Sequence, residues 1–141
     1  MSKPGRQPHR HAVLWTTVCL AIAAGVPARP SSARAEPAGA YYTARQATAG
    51  AQDYALSCSR CHGAQLQGVG APPLIGPGFR NRWPVRTLYH FVSHQMPADR
   101  RGSLSPAKYD AIVAFLLQRN GHPAGAVPLN RSRASAITTK L

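Results

Sequence analysis

The run Cys58-Ser59-Arg60-Cys61-His62 constrains this chain more than any other feature of it. On a helical turn, positions i and i+3 share one face, so two thiols at that spacing project to the same side. Two such thiols can add to the two vinyl groups along one edge of a porphyrin. A histidine directly after the second can then bind the iron as its proximal ligand. The run is therefore the attachment signature of a c-type haem: Cys58 and Cys61 form the thioethers and His62 supplies the first axial ligand. Two other uses of a Cys-x-x-Cys pair fit less well. A structural zinc site needs two further ligands, and there is no second cysteine pair. A thioredoxin-like dithiol wants a strand–helix context and gains nothing from the trailing histidine.

A length of 141 residues leaves room for one small domain. Its N-terminus reads as something else. Residues 1–11 carry Lys3, Arg6 and Arg10, Ala12 to Val26 is uncharged and mostly apolar, and Ala33-Arg34-Ala35 places small residues at −3 and −1. A basic region, an apolar core and a cleavage site in that order predict a secretory signal over residues 1–35, cut before Glu36. With no paired arginines before the apolar run, export is expected to be unfolded, with haem attached afterwards in the periplasm. The alternative is an uncleaved membrane anchor, for which the 17 uncharged residues from Ala12 to Ala28 are at the short end. Cys19 lies within the signal, so the two cysteines that remain both belong to the haem motif and no disulfide is expected.

From Glu36 onward, Lys and Arg number 12 and Asp and Glu 4. That basic balance favours docking to acidic protein faces or anionic lipid. Nucleic acid would also suit the charge, but an exported haem domain has little occasion for it. With Glu36, Asp53, Asp99 and Asp110 as the only acids, there are no paired carboxylates and no triad, so no general acid, base or nucleophile is expected.

Residues 36–42 read as a flexible lead-in. Thr43 is a candidate N-cap for an alanine-rich helix whose face is Ala44, Ala47, Ala51, Tyr54, Ala55 and Cys58. Gly50 within it costs about 1 kcal/mol relative to alanine, which predicts that another helix approaches closely there. The partner is expected over Ser105 to Asn120. Ser105 reads as its N-cap, Pro106 as its first residue, Tyr109, Ile112, Val113, Leu116 and Leu117 as its apolar stripe, and Gly121 as its stop. Residues 63–82 form a loop rich in glycine and proline, expected to pack on the porphyrin. After Trp83-Pro84 a helical pattern runs over Val85 to Gln95, with Leu88, Phe91 and Val92 on one side. Trp83 reads two ways, as a donor to haem propionates beside Arg80 and Arg82, or as an ordinary core aromatic. Residues 123–141 read as a disordered basic tail.

The run Gly50-x3-Tyr54-x3-Cys58-x2-Cys61-His62 and the segment Ile112-Val113-Ala114-Phe115-Leu116 resemble the monohaem class I cytochromes c. The resemblance covers residues 43–122 and implies a small all-α fold whose N- and C-terminal helices cross, with one covalently attached haem c enclosed by loops. It places Ile112 and Phe115 nearest Gly50 and Tyr54. It also implies that in Ala71-Pro72-Pro73-Leu74-Ile75-Gly76 the Pro72 carbonyl accepts the His62 Nδ1–H and Leu74 presses on the haem. Met96-Pro97, 34 residues after His62, is similar to the family's distal-ligand loop. Met96 is also the one thioether left once Met1 goes with the signal, so it is the expected second ligand. His90, His94 and His122 are the rival ligands. Methionine ligation keeps the iron low-spin and leaves no position for dioxygen, which suits single-electron transfer between redox proteins. Residues 83–97 and Asn120 to Gly125 further resemble cytochromes that accompany quinoprotein (PQQ-dependent) dehydrogenases, which implies such an enzyme as donor; a quinol-oxidising donor is the alternative, and the acceptor is expected to be an oxidase or another cytochrome. Two other classes stay open: a haem enzyme or gas sensor with a labile sixth position, and a fixed cytochrome subunit of a larger complex.

Overall fold

Glycine at position 50 decides how the helices meet. In the computed structural model, which describes residues 35–141, the helices are α1 (Ala44–Ser57), α2 (Ser59–His62), α3 (Pro77–Arg80), α4 (Val85–Gln95), α5 (Pro106–Arg119) and α6 (Arg131–Ala136). No strand occurs among the described residues, so the architecture is all-α, as the sequence implied. Helices α1 and α5 cross with the Ala111 carbonyl lying over Gly50, where a Cβ would be only 1.8 Å from its oxygen. One turn on, the Tyr54 and Phe115 rings pack at 5.3 Å and 47°. The nearest neighbour of Gly50 is thus backbone at Ala111, one residue before the expected Ile112. The buried face of α1 is narrower than the alanine pattern suggested, being Ala47, Gly50 and Tyr54, while Ala44 and Ala55 are exposed.

Thr43 caps α1, its hydroxyl accepting the Gln46 amide at 3.2 Å. Ser105 stands at the N-cap of α5 but its hydroxyl caps nothing there; Pro106 at the first position lacks one of the amides that would need a cap. The other end of α5 closes as a Schellman motif. Gly121 takes φ +97°, its amide donates to the Gln118 carbonyl, and the His122 amide donates to that of Leu117. Helix α5 is buried continuously from Ala111 to Leu117, not along one stripe. It is the central element, with α1 and α4 packed against it.

Two expectations about order are corrected. The lead-in 36–42 is packed, with Ala40 and Tyr42 buried and the Tyr42 hydroxyl donating to the His122 carbonyl at 2.6 Å. Residues 123–141 are no disordered tail. They run back across the molecule through α6 and bury Leu129, Ala134 and Ile137. Gln46 fastens this strap by two bonds to Leu129, donating to its carbonyl at 2.7 Å and accepting its amide at 2.8 Å. The first amides of α4, which Pro84 cannot cap, donate to strap carbonyls instead: Val85 to Thr139 at 3.0 Å and Arg86 to Ile137 at 3.1 Å. A few widely spaced apolar residues anchor this strap, which is why a reading by helical periodicity passed over it. The expected signal over 1–35 lies outside the described residues, save Ala35, and no described helix is long and apolar enough to cross a membrane.

Candidate haem site

Cys58, Cys61 and His62 stand where the chain leaves α1 and turns through α2. The Cys58 amide closes α1 on the Tyr54 carbonyl, and the buried Tyr54 hydroxyl donates to the Gly63 carbonyl at 2.7 Å, bracing both ends of the motif. The following loop folds back on the same turn. The amides of Val69, Gly70 and Ala71 all donate to the Cys61 carbonyl at 2.9–3.1 Å. That return brings Pro72 beside His62, whose Nδ1 donates to the Pro72 carbonyl at 2.8 Å. A carbonyl can only accept, so the proton sits on Nδ1 and Nε2 keeps the lone pair that a metal would use.

Leu74 is held from two sides. Its amide donates to the Leu66 carbonyl, and its own carbonyl accepts Asn120 Nδ2 at 3.0 Å. Trp83 is half-buried, packs on Phe91 at 5.2 Å and lies under the Arg82 guanidinium at 5.7 Å. Met96 ends α4, and its backbone is pinned because the Tyr109 hydroxyl donates to its carbonyl at 2.7 Å. The same hydroxyl accepts the Leu104 amide at 3.2 Å, closing the loop after Met96.

All seven sequence-predicted residues, Cys58, Cys61, His62, Pro72, Leu74, Trp83 and Met96, line one cavity of about 950 Å³. That is the upper part of the range for cofactor sites, about 300–1,000 Å³. Its walls are mostly apolar, with Phe79, Leu88, Phe91, Val92, Ile112 and Leu116 among them, and Asp99 is the one carboxylate. Of the rival ligands, His90 and His94 face a different cleft and His122 packs against Tyr41 at 5.5 Å with the rings tilted by 44°; none of the three lines the cavity.

The donor set fits a covalently held haem and little else. Burial, then the neighbouring Cys61 and Asp53, push the Cys58 thiol up to about 11. Among the described residues, no three His, Cys, Asp or Glu side chains gather to hold a bare metal ion.

The polar supports of the site were not singled out in the sequence. Tyr54 and Tyr109 looked like core aromatics, and Asn120 like the last residue of a helix. Their hydroxyl and amide groups hold the chain at Gly63, Met96 and Leu74. The one available signal was that a buried tyrosine needs a hydrogen-bond partner where a phenylalanine does not.

Comparison with known proteins agrees with a haem-binding cytochrome c fold. The profile of the family described as cytochrome C oxidase, cbb3-type, subunit III matches residues 45–116. The cbb3-type cytochrome c oxidase subunit CcoP of Rhodobacter capsulatus is 32% identical over 95 residues, which are 56% of this chain and 32% of that protein. The chain thus spans about a third of the length of this curated relative. The crystal structure of the sulfane dehydrogenase SoxCD from Paracoccus pantotrophus is similar in fold, with a TM-score of 0.55 and 24% identity over 66% of this chain and 52% of that chain.

Proposed function

Because the chain belongs to the family of cytochrome c domains described as cytochrome C oxidase, cbb3-type, subunit III, we propose that it carries single electrons between redox proteins in the periplasm, with His62 and Met96 as the axial ligands of its haem c. One observation carries this reading: His62, oriented by Pro72, and Met96, pinned by Tyr109, line the same apolar cavity as both motif cysteines. Haem, when bound, supplies reversible one-electron storage. The chain's own part is to hold an imidazole and a thioether at fixed backbone positions and to keep water off the cofactor with aliphatic and aromatic walls. Fixed ligands need little rearrangement between oxidation states, which suits transfer better than oxygen chemistry.

The cavity mouth supports a docking role. Leu56 is 82% exposed on its lining, and Val69, bonded through its amide to the Cys61 carbonyl, is 74% exposed. Arg60 and Arg100 flank them, sharing Asp99 at 3.6 and 4.0 Å. An apolar centre with a basic rim suits a partner with an acidic face.

For the donor we favour a PQQ-dependent dehydrogenase, on the resemblance of residues 83–97 and 120–125. Asn120, Gly121 and His122 already serve the helix stop and the Leu74 contact, so that part of the resemblance has a structural cause as well. Reduction by a purified quinoprotein dehydrogenase at rates useful for turnover supports this donor, and no reduction removes it.

The ligand assignment is tested by the near-infrared spectrum of the oxidised protein. A methionine-to-iron(III) charge-transfer band that Met96→Ala abolishes is the expected result. No band in the parent protein, together with carbon monoxide binding to its reduced form at neutral pH, would overturn it in favour of an enzyme or sensor.

A further inference from the structure

Helix α4 serves two clefts. Leu88, Phe91 and Val92 line the haem cavity, whereas Arg86, His90 and His94, spaced four apart, line a second cleft of about 360 Å³. The strap closes it, α6 contributing Arg131 and Ser135, with Tyr89 as the remaining lining residue. Two guanidiniums, two imidazoles and two hydroxyls converge there, and no carboxylate does.

The chain has four Asp and Glu side chains, and none of them lines this cleft. Glu36 pairs with Arg133 at 3.8 Å, Asp53 with Lys108 at 3.4 Å and Asp99 with Arg60 at 3.6 Å. Asp110 accepts the Tyr89 hydroxyl at 2.6 Å. Asp110 thus stands one hydroxyl behind the cleft, but among the described residues no Asp or Glu side chain forms an ion pair with Arg86 or Arg131, so the two guanidiniums are open to an anion from outside.

A histidine pair one helical turn apart would ordinarily suggest a divalent metal. Here two guanidiniums line the same cleft and would repel a dication, with only Asp110, behind Tyr89, to offset them. The two rings are also spoken for in part. They stack at 4.2 Å and 20°, and His94 Nδ1 donates to the His90 carbonyl at 2.8 Å. The charge that matters is therefore the permanent charge of the arginines, and binding needs no imidazole to titrate.

We propose that the α4–α6 cleft binds a small tetrahedral dianion of the phosphate or sulfate class, held between Arg86 and Arg131 with His90 and Ser135 as lateral donors. The guanidinium fork matches two oxygens of such an ion, and hydrogen bonds between ionised partners are about twice as strong as neutral ones. The ion would bridge α4 to α6, fastening a strap that lies beyond the family match at residues 45–116. The site is independent of the haem-ligand assignment, since none of its residues lines the haem cavity.

The test uses the holoprotein, purified in chloride buffer free of phosphate and sulfate. Inorganic phosphate and sodium sulfate are titrated calorimetrically at constant ionic strength, with thermal unfolding followed in parallel. One saturable site and a rise in melting temperature that chloride does not give are expected for both anions, or for one if the site discriminates. Arg86→Gln and Arg131→Gln should each weaken binding about tenfold or more, the loss of one charge-assisted contact. Arg119→Gln, on the exposed end of α5, should leave binding unchanged, and an unaltered haem spectrum reports that each variant is folded. Two results overturn the proposal: no saturable binding of either anion, or equal binding by the Arg86→Gln/Arg131→Gln double variant, which would mark a general effect of basic charge.

Discussion

Replacing Gly50 by alanine sets two physical effects against each other, and the structure says which wins. Helix propensity alone favours the substitution by about 1 kcal/mol. The added Cβ, however, would stand 1.8 Å from the Ala111 oxygen, 2.4 Å from its carbonyl carbon and 3.0 Å from the Ile112 nitrogen. Ordinary van der Waals contact begins at 3.4 Å, so α1 and α5 must part by more than 1 Å. The obstacle is backbone inside a helix, with no side-chain rotamer available to relieve it. A radial gap of about 0.5–1 Å forfeits a quarter to a half of each dispersion contact beside it, here those of Ala47, Tyr54, Ile112 and Phe115. Overpacking a core typically costs about 1–3 kcal/mol, and a rigid backbone clash belongs at or above the upper end. Net of propensity, Gly50→Ala should destabilise the holoprotein by about 2 kcal/mol or more. Guanidinium unfolding at neutral pH, followed by haem absorbance and far-UV circular dichroism, measures it. Ala49→Gly, one residue away on the exposed side, is the reciprocal control and should lose about 1 kcal/mol. The packing account requires both variants to be destabilised. A Gly50→Ala protein as stable as its parent, or more stable, would refute it.

Three further outcomes are expected. Tyr109→Phe removes the hydroxyl that holds the Met96 carbonyl and the Leu104 amide; it should cost about 1–3 kcal/mol, and it should speed carbon monoxide binding to the reduced protein, read by flash photolysis. Gln46→Ala strips both bonds from Leu129 and should expose the strap, so that limited proteolysis cuts within 124–141 while the haem stays covalently attached. Burial lowers the His122 pKa below its ordinary 6.5, the Gly39 backbone only partly offsetting it. The unfolded chain then takes up this proton first, so the contribution is complete above about pH 6.5 and is lost as pH falls through the folded value. Stability measured between pH 7 and 5 should decline less steeply in His122→Gln than in the parent protein.

What the sequence made legible follows from which interactions leave a local signature. The haem motif is contiguous, and Gly50 stands out as a costly residue in an alanine helix, so the motif and the crossing could both be read. Val85–Gln95 likewise appears as the helix its period implied. The strap escaped because its anchors are sparse and long-range: Leu129 is bound by a glutamine 83 positions earlier, and Arg133 donates to the Ala40 carbonyl 93 positions earlier. Composition then misled, since a basic, serine-containing stretch looks the same whether it is solvated or draped over a neighbour. The lead-in failed for the matching reason, Tyr41 and Tyr42 having their partners at the far end of the chain.

The strap bears on the haem cavity through α4. Pro84 gives that helix no side-chain cap, and its first turn is completed by carbonyls of residues 137 and 139, while the Leu141 amide donates to the Trp83 carbonyl. At its other end the helix delivers Met96. The segment that sets the direction of α4 therefore fixes Trp83 at one wall of the cavity and the thioether at another, although no strap residue lines the cavity itself. If Met96 ligates the iron as proposed, a loosened strap should then be felt there. Gln46→Ala, which touches neither α4 nor the haem motif in its hydrogen bonds, is the cleanest perturbation. If strap and cavity are coupled in this way, its methionine charge-transfer band should weaken or shift in step with its gain in protease sensitivity. A freed strap with an unchanged band would mean that α5 alone positions Met96, through Tyr109.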